Sequence, residues 1–482
     1  MNHTAAVAAH RFGLAEPTLV AAAGDPQAWL SAQIGPADAA RGEGLLTTDQ
    51  AVAHVAAEAE NRRLAKNPPP GMTAEQVLAS HYREVIAADV RSRFNTAAQT
   101  QRPFAERLTW FWANHFTVSL AKGSVRGLVG AFERDAIRPH IAGSFEQMLV
   151  AATTHPAMLR YLDNNQSAGP NSPLAQRVAR RAQNLNADMQ EPRRSLGLNE
   201  NLAREVLELH TLGAVNGRAD QTGGYRQADV TAFAAVLTGW RVGQQQTDAL
   251  SRFDPAWHEP GRKTVLGKTY EAGPDALRAV LHDLAEHPAT ARFIATKLAR
   301  HFIADEPPPA VVERLSAAYL RSRGQLGEVY RELIRSPEAW AAQAVKLKTP
   351  EEFVVSTVRV LGLGTRADGR ATDRTTDRTS MPLLNNASGA INTLGQRPQG
   401  APSPAGWSDK ADDWLGPEAV WQRMEWATRV ADRVGRVVDA RALAAASLGP
   451  QLSEATRLQI ERAADGPQAL ALLLMSPEFQ RR

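Results

Sequence analysis

Apolar residues recurring every three or four positions dominate the chain and predict helices almost from end to end. The longest pattern, 73 to 94, opens with the capping sequence Thr73-Ala-Glu-Gln76. Further helices are read at 25–34, 48–64, 103–116, 125–140, 145–153, 156–165, 174–186, 199–212, 226–240, 274–286, 288–303, 311–322, 326–334, 350–363 and 383–394. Three short helices are expected to close the chain. Only the stretch around Phe253, Trp257, Val265 and Leu266 reads as β. The expectation is a mainly α protein, a single large multi-helical unit with one small β hairpin near residues 251–270. Low-complexity sequence from Ala367 to Ser380 predicts a flexible linker at about 364–380. It suggests candidate lobes at 1–241, 242–363 and 381–482.

Two of these helices carry polar residues that call for an explanation. Between 104 and 116, Phe104, Leu108, Trp110, Phe111, Trp112 and Phe116 spread all round the wheel, so this helix is expected to be buried. It also holds Arg107, Asn114 and His115. A buried Arg needs an anionic partner, and buried Asn and His need hydrogen bonds. On the 199–212 helix, Glu200, Asn201, Arg204, Glu205, Glu208 and Thr211 share one arc, while His210 falls with the apolar set. Taken alone, that arc is most simply a solvated face whose Glu/Arg pairs each contribute a few tenths of a kcal/mol. The demand of Arg107 for a carboxylate changes this reading. Glu205 and Glu208, followed by Asp163, are the best-organised donors, so the arc is expected to face inward.

Composition narrows the chemistry. The 482 residues are 43% hydrophobic and 22% charged, as in a soluble globular protein. With no cysteine, disulfides, thiolate metal sites and cysteine nucleophiles are excluded. The net charge is +4, but eight of the 55 basic residues are Lys, leaving 47 Arg, and no basic run or aromatic-spaced motif indicates nucleic acid. No apolar run reaches the length of a membrane span. The first residues lack the pattern of an export signal, so the default compartment is the cytoplasm, with periplasmic location by co-export the alternative. Near 261–269 the phosphate-loop pattern fails, because five residues rather than four separate Gly261 from Gly267. Neither G-x-S-x-G nor H-E-x-x-H occurs.

F-W-A-N-H-F, H-P-A-M-L-R-Y-L-D-N, N-E-N-L-A-R-E-V-L-E-L-H-T-L-G and D-V-T-A-F-A-A-V-L-T-G-W follow one another in that order, and K-T-P-E-E-F-V-V and S-P-E-F-Q come later. On these motifs the chain resembles, over nearly its full length, the bacterial family catalogued as domain of unknown function 1800. The resemblance implies no reaction. It implies a candidate partner, a protein of the family catalogued as domain of unknown function 1501, whose members resemble alkaline phosphatases and sulfatases.

Three readings follow. One is an enzyme of hydrolase or lyase type acting on a polysaccharide or other polar substrate. Its catalytic candidates are Glu205, Glu208, His115 and His258, because paired, part-buried carboxylates can divide acid and base roles. Arg107, Asn114, Asp163, Asn164, Arg204, Lys263 and Trp407 are its candidate binding residues. His115, His258, Glu205 and Glu208 could also ligate a metal, but acid–base chemistry ranks above it, no metal site is assigned and the cofactor is undetermined. The second reading is an accessory protein for the phosphatase-like partner. The third is a buried polar network with no substrate.

Overall fold

The computed structural model describes residues 3–184, 197–213, 224–243, 251–363 and 387–482; the expected linker at 364–380 lies outside the described residues. The protein is mainly α. Its β structure is two antiparallel ribbons: Trp240–Val242 pairs with Ser251–Phe253, and Lys263–Val265 pairs with Lys268–Tyr270.

Helices form where the sequence supplies both an apolar stripe and end signals. Pro274–Glu286 has the bounds its periodicity predicts, with Pro at its start and Leu277, Val280, Leu281 and Leu284 buried. Pro350–Val360 starts with a capping box in which Thr349 and Glu352 satisfy one another's backbone N–H groups. Three expectations need correction. The 125–140 region is not one helix but a chain of short α, π and 3-10 turns. Pro139 cannot continue an α ladder, and a side chain at Gly130 would overlap the carboxylate of Asp89. The 199–212 helix is α only over Asn201–Glu205 and continues as a π turn over Val206–Thr211. Thr211 Oγ1 donates to Val206 O at 2.7 Å across that wider turn. The chain closes not with three short helices but with Pro417–Val434, 18 residues long, followed by Ala440–Leu448, Glu454–Glu461, Gly466–Met475 and Pro477–Gln480.

Two apolar clusters fill the interior. The larger draws on residues from Ala5 to Ala339, the smaller on Leu14, Phe94 and Trp110 together with Phe353 through Phe479. The Pro103–His115 helix lies at their seam: Phe111 belongs to the larger cluster and its neighbour Trp110 to the smaller. Burial on every side is as its sequence predicts.

Candidate functional site

A cleft opens at this seam. It is lined by the Pro103–His115 helix (Trp110, Phe111, Asn114), the Pro288–Phe302 helix (Lys297, His301), the start of Pro350–Val360 (Glu351, Glu352) and the segment from Gln396 to Asp409. Its free volume is about 90 Å³, room for several waters or one small polar group.

Two ion networks flank it. On one side Glu106, Arg138, Glu133, Arg93 and Glu351 form an alternating chain, with Arg138 bidentate on Glu106 at 2.6 and 2.8 Å. On the other, Arg107 Nη1 donates to Glu352 Oε1 at 2.6 Å and Arg482 Nε donates to Oε2 at 3.1 Å. Burial works against the charge on Glu352, yet the two guanidinium groups outweigh it and hold its carboxyl well below the usual range. Arg107 therefore does have a buried carboxylate partner, but it is Glu352, 245 residues away, and not Glu205, Glu208 or Asp163. Nη2 of both Arg107 and Arg482 is buried without a partner.

At the cleft itself His301 Nδ1 lies 2.7 Å from Asp409 Oδ1, and His301 Nε2 is buried with no hydrogen-bond partner. Burial alone would raise the carboxyl of Asp409, but His301, Lys346 and Arg482 hold it down at about 2. Asp409 is thus ionised at neutral pH and can only accept, so Nδ1 carries the donated proton. Burial lowers the His301 pKa against the pull of Asp409, which keeps the ring neutral. Nε2 then presents a bare lone pair. The backbone carbonyl of His301 accepts from Arg482 Nη1, which ties the ring's helix to the second ion network.

Lys297 is four residues before His301 and shares its helix face. No carboxylate lies within ion-pair reach of it among the described residues, and its ammonium sits 5.6 Å over the ring of Phe293. Burial brings its pKa down to about 8, opposed by Asp409.

Of the candidates read from sequence, Asn114 and Trp407 line this cleft. Asn114 clamps the segment at 407: Oδ1 accepts from Trp407 N at 2.7 Å and Nδ2 donates to Trp407 O at 2.8 Å. The approach is so close that a Cβ at Gly406 (φ +83°) would lie 2.5 Å from Asn114 O. His115 is buried next door, its Nε2 donating to His210 O at 3.1 Å, with Nδ1 unpartnered.

The other candidates fall elsewhere. Glu205 and Glu208 make a separate part-buried group with Tyr225, whose hydroxyl donates to Glu208 at 3.0 Å. Burial and the nearby charge of Glu208 raise the Glu205 pKa. Arg204 bonds Glu200 at 3.1 Å. Asp163, in the left-handed region at φ +59°, pairs with Lys122. Asn164 Nδ2 latches onto Leu237 O and Trp240 O. Both ring nitrogens of His258 are engaged, Nδ1 with Thr238 O at 2.8 Å, Nε2 with Gly273 N and Lys263 Nζ at 3.2 Å. Lys263 also donates to Glu259 O.

Sequence reasoning passed over Lys297, Asp409, Glu352 and Arg482, and noted His301 only as lying near a helix end. A usable signal existed for one pair, since Phe293, Lys297 and His301 recur at four-residue spacing.

The fold and site together define a mainly α protein with a charged, aromatic-lined cleft. The chain belongs to the family described as "Protein of unknown function (DUF1800)", whose model matches residues 7–481. No curated protein and no solved structure matches it.

Proposed function

We propose that this protein is an acid–base enzyme of hydrolase or lyase type, taking one polar group of its substrate into the seam cleft. His301 is the general base, Asp409 its positioning partner and Lys297 the cation that steadies developing negative charge. The observation that carries this reading is the buried, unpartnered Nε2 of His301 beside an Nδ1 already committed to Asp409. A buried lone pair with no partner is disfavoured unless something visits it. When Nε2 takes a proton, the imidazolium gains the adjacent carboxylate as counter-charge, as in other oriented Asp–His pairs. Lys297 and His301 stand on one rigid helix face, a suitable platform for holding reacting atoms. Asn114 and Trp407 shape the opposite wall. The group at Glu205 and Glu208 remains the alternative acid–base pair.

The test is a screen of glycans, esters and phosphoesters, followed by H301Q and D409N. Turnover should fall about 10²- to 10⁴-fold in H301Q with little change in melting temperature. Equal turnover by H301Q and the parent protein would remove the cleft from consideration, and loss in E205Q instead would move the chemistry to the second group.

A second reading, a binding role toward a partner such as a domain of unknown function 1501 protein, is favoured by one observation. Leu415, Trp421 and Met424 are exposed on and just before the Pro417–Val434 helix, with Trp421 59% exposed. W421D should abolish co-purification with such a partner if this reading holds.

A further inference from the structure

The lining of the cleft carries an argument about the ligand, and it rests on the acid–base reading above. Four carboxylates line it: Glu133, Glu351, Glu352 and Asp409. Each already has a cationic or imidazole partner, Arg93 for the first two, Arg107 and Arg482 for Glu352, and His301 for Asp409. Each carboxylate is thus ion-paired, which leaves none unpaired to attract a cation. The groups still open are of the other kind. Lys297 has no carboxylate partner among the described residues, and Arg397, on the rim, has none either. A part-buried ammonium against an aromatic face has lost much of its hydration, so an anion arriving there recovers more energy than at a wet surface. Apolar surface from Trp110, Phe111 and Trp407 surrounds these groups. Such a lining suits a ligand with a compact anionic head and a less polar body.

We infer that the cleft recognises its ligand through a small oxyanion, a carboxylate or phosphate group, seated on Lys297 beside His301. The free volume of about 90 Å³ admits one such group and leaves the body of the ligand toward the aromatic rim. Lys297 is then the specificity-determining residue. It selects charge, while His301 handles protons. Its lowered pKa agrees with an ammonium awaiting a counter-ion, since bringing an anion to it reverses the cost of its burial.

The experiment titrates the full chain with sodium acetate, with inorganic phosphate and with neutral acetamide at constant ionic strength. Calorimetry and the fluorescence of Trp110 and Trp407 report binding. Acetate or phosphate should bind saturably and acetamide should not. A response to acetate alone assigns a carboxylate, and a response to phosphate alone assigns a phosphate ester. In K297M the affinity should fall about tenfold or more, as expected for losing a hydrogen bond to a charged group. In K297R it should stay close to the parent value. K297Q, which keeps an amide donor without charge, should behave like K297M and guards against an isolated folding defect. Binding of neither anion, or equal binding by K297M and the parent protein, overturns the inference. The acid–base reading fails separately: H301Q would then retain turnover whatever the anion result.

Discussion

Glu352 shows what a single buried charge does here. It is 3% exposed and is shared by two guanidinium groups that are themselves buried. E352Q removes the carboxylate that Arg107 and Arg482 share and leaves two desolvated guanidinium groups without it. Breaking a buried pair this way costs about 3–5 kcal/mol. Denaturant unfolding should show a loss of unfolding free energy of that size, and a loss under 1 kcal/mol would mean that water reaches the guanidinium groups. Asn114 acts differently, through two hydrogen bonds to the backbone of Trp407. N114A should cost about 1–3 kcal/mol and shift Trp fluorescence to the red as that segment loosens; an unchanged spectrum would argue that the clamp is redundant. The need for these partners could be read from residues, since an all-round apolar helix containing Arg107 demands a buried anion. The identity of the anion could not. Glu352 serves locally as the fourth position of a capping box, and nothing in the neighbouring sequence says that its other oxygen reaches across 245 residues. His301 and Asp409 were hidden for the same reason, the acid lying in a Pro- and Gly-rich stretch with no periodicity.

At the level of elements, legibility followed how completely the ends were marked. Pro274–Glu286, with Pro at one end and a clear stripe, was readable to the residue, whereas the π turn at Val206–Thr211 has no sequence signature and interrupts what a wheel treats as continuous. The β ribbons were only half visible. Lys263–Tyr270 has the alternation of a hairpin, but Trp240–Val242 looks like the tail of a helix and is a strand only because Ser251–Phe253 pairs with it. Two substitutions separate local stability from the cleft. D465A removes the side chain that caps Gly466–Met475 at Gln468 N and should cost about 0.5–2 kcal/mol with no change in anion binding. G406A forces a side chain into the left-handed region and against Asn114. It should weaken anion binding and expose 396–409 to protease, with a protease pattern like that of the parent protein refuting the tight approach.

Across the whole molecule the distribution of histidines sets the response to acid. His10, His155 and His210 are pulled down to about 3 by burial, and His115 and His301 are also lowered, burial being the largest cause in each. In the fold these rings stay neutral, while in the unfolded chain they protonate below about 6.5. The unfolded state therefore binds more protons as the pH falls, so stability is full above that value and declines below it, by on the order of 1.4 kcal/mol per pH unit for each ring. The denaturant midpoint should drop steeply between pH 6.5 and 5, before Glu352 and Asp409 begin to titrate. A flat midpoint over that interval would mean that water reaches the rings in the folded protein. No described helix is long and apolar enough to cross a membrane.

The seam that holds the cleft also has a history during synthesis. Asp409 follows His301 by 108 residues, and Glu352 follows Arg107 by 245. At a translation rate of about 5–20 residues per second, the histidine waits roughly 5 to 20 s for its acid and the arginine roughly 12 to 50 s for its counter-charge. For that interval the Pro103–His115 helix carries an unneutralised guanidinium, and its Trp110 side has no cluster from Phe353 onward to cover it. A nascent chain in this condition is a natural client for a holding chaperone, and slowing the ribosome between residues 116 and 349 should lower the yield of folded protein more than slowing it anywhere after residue 409.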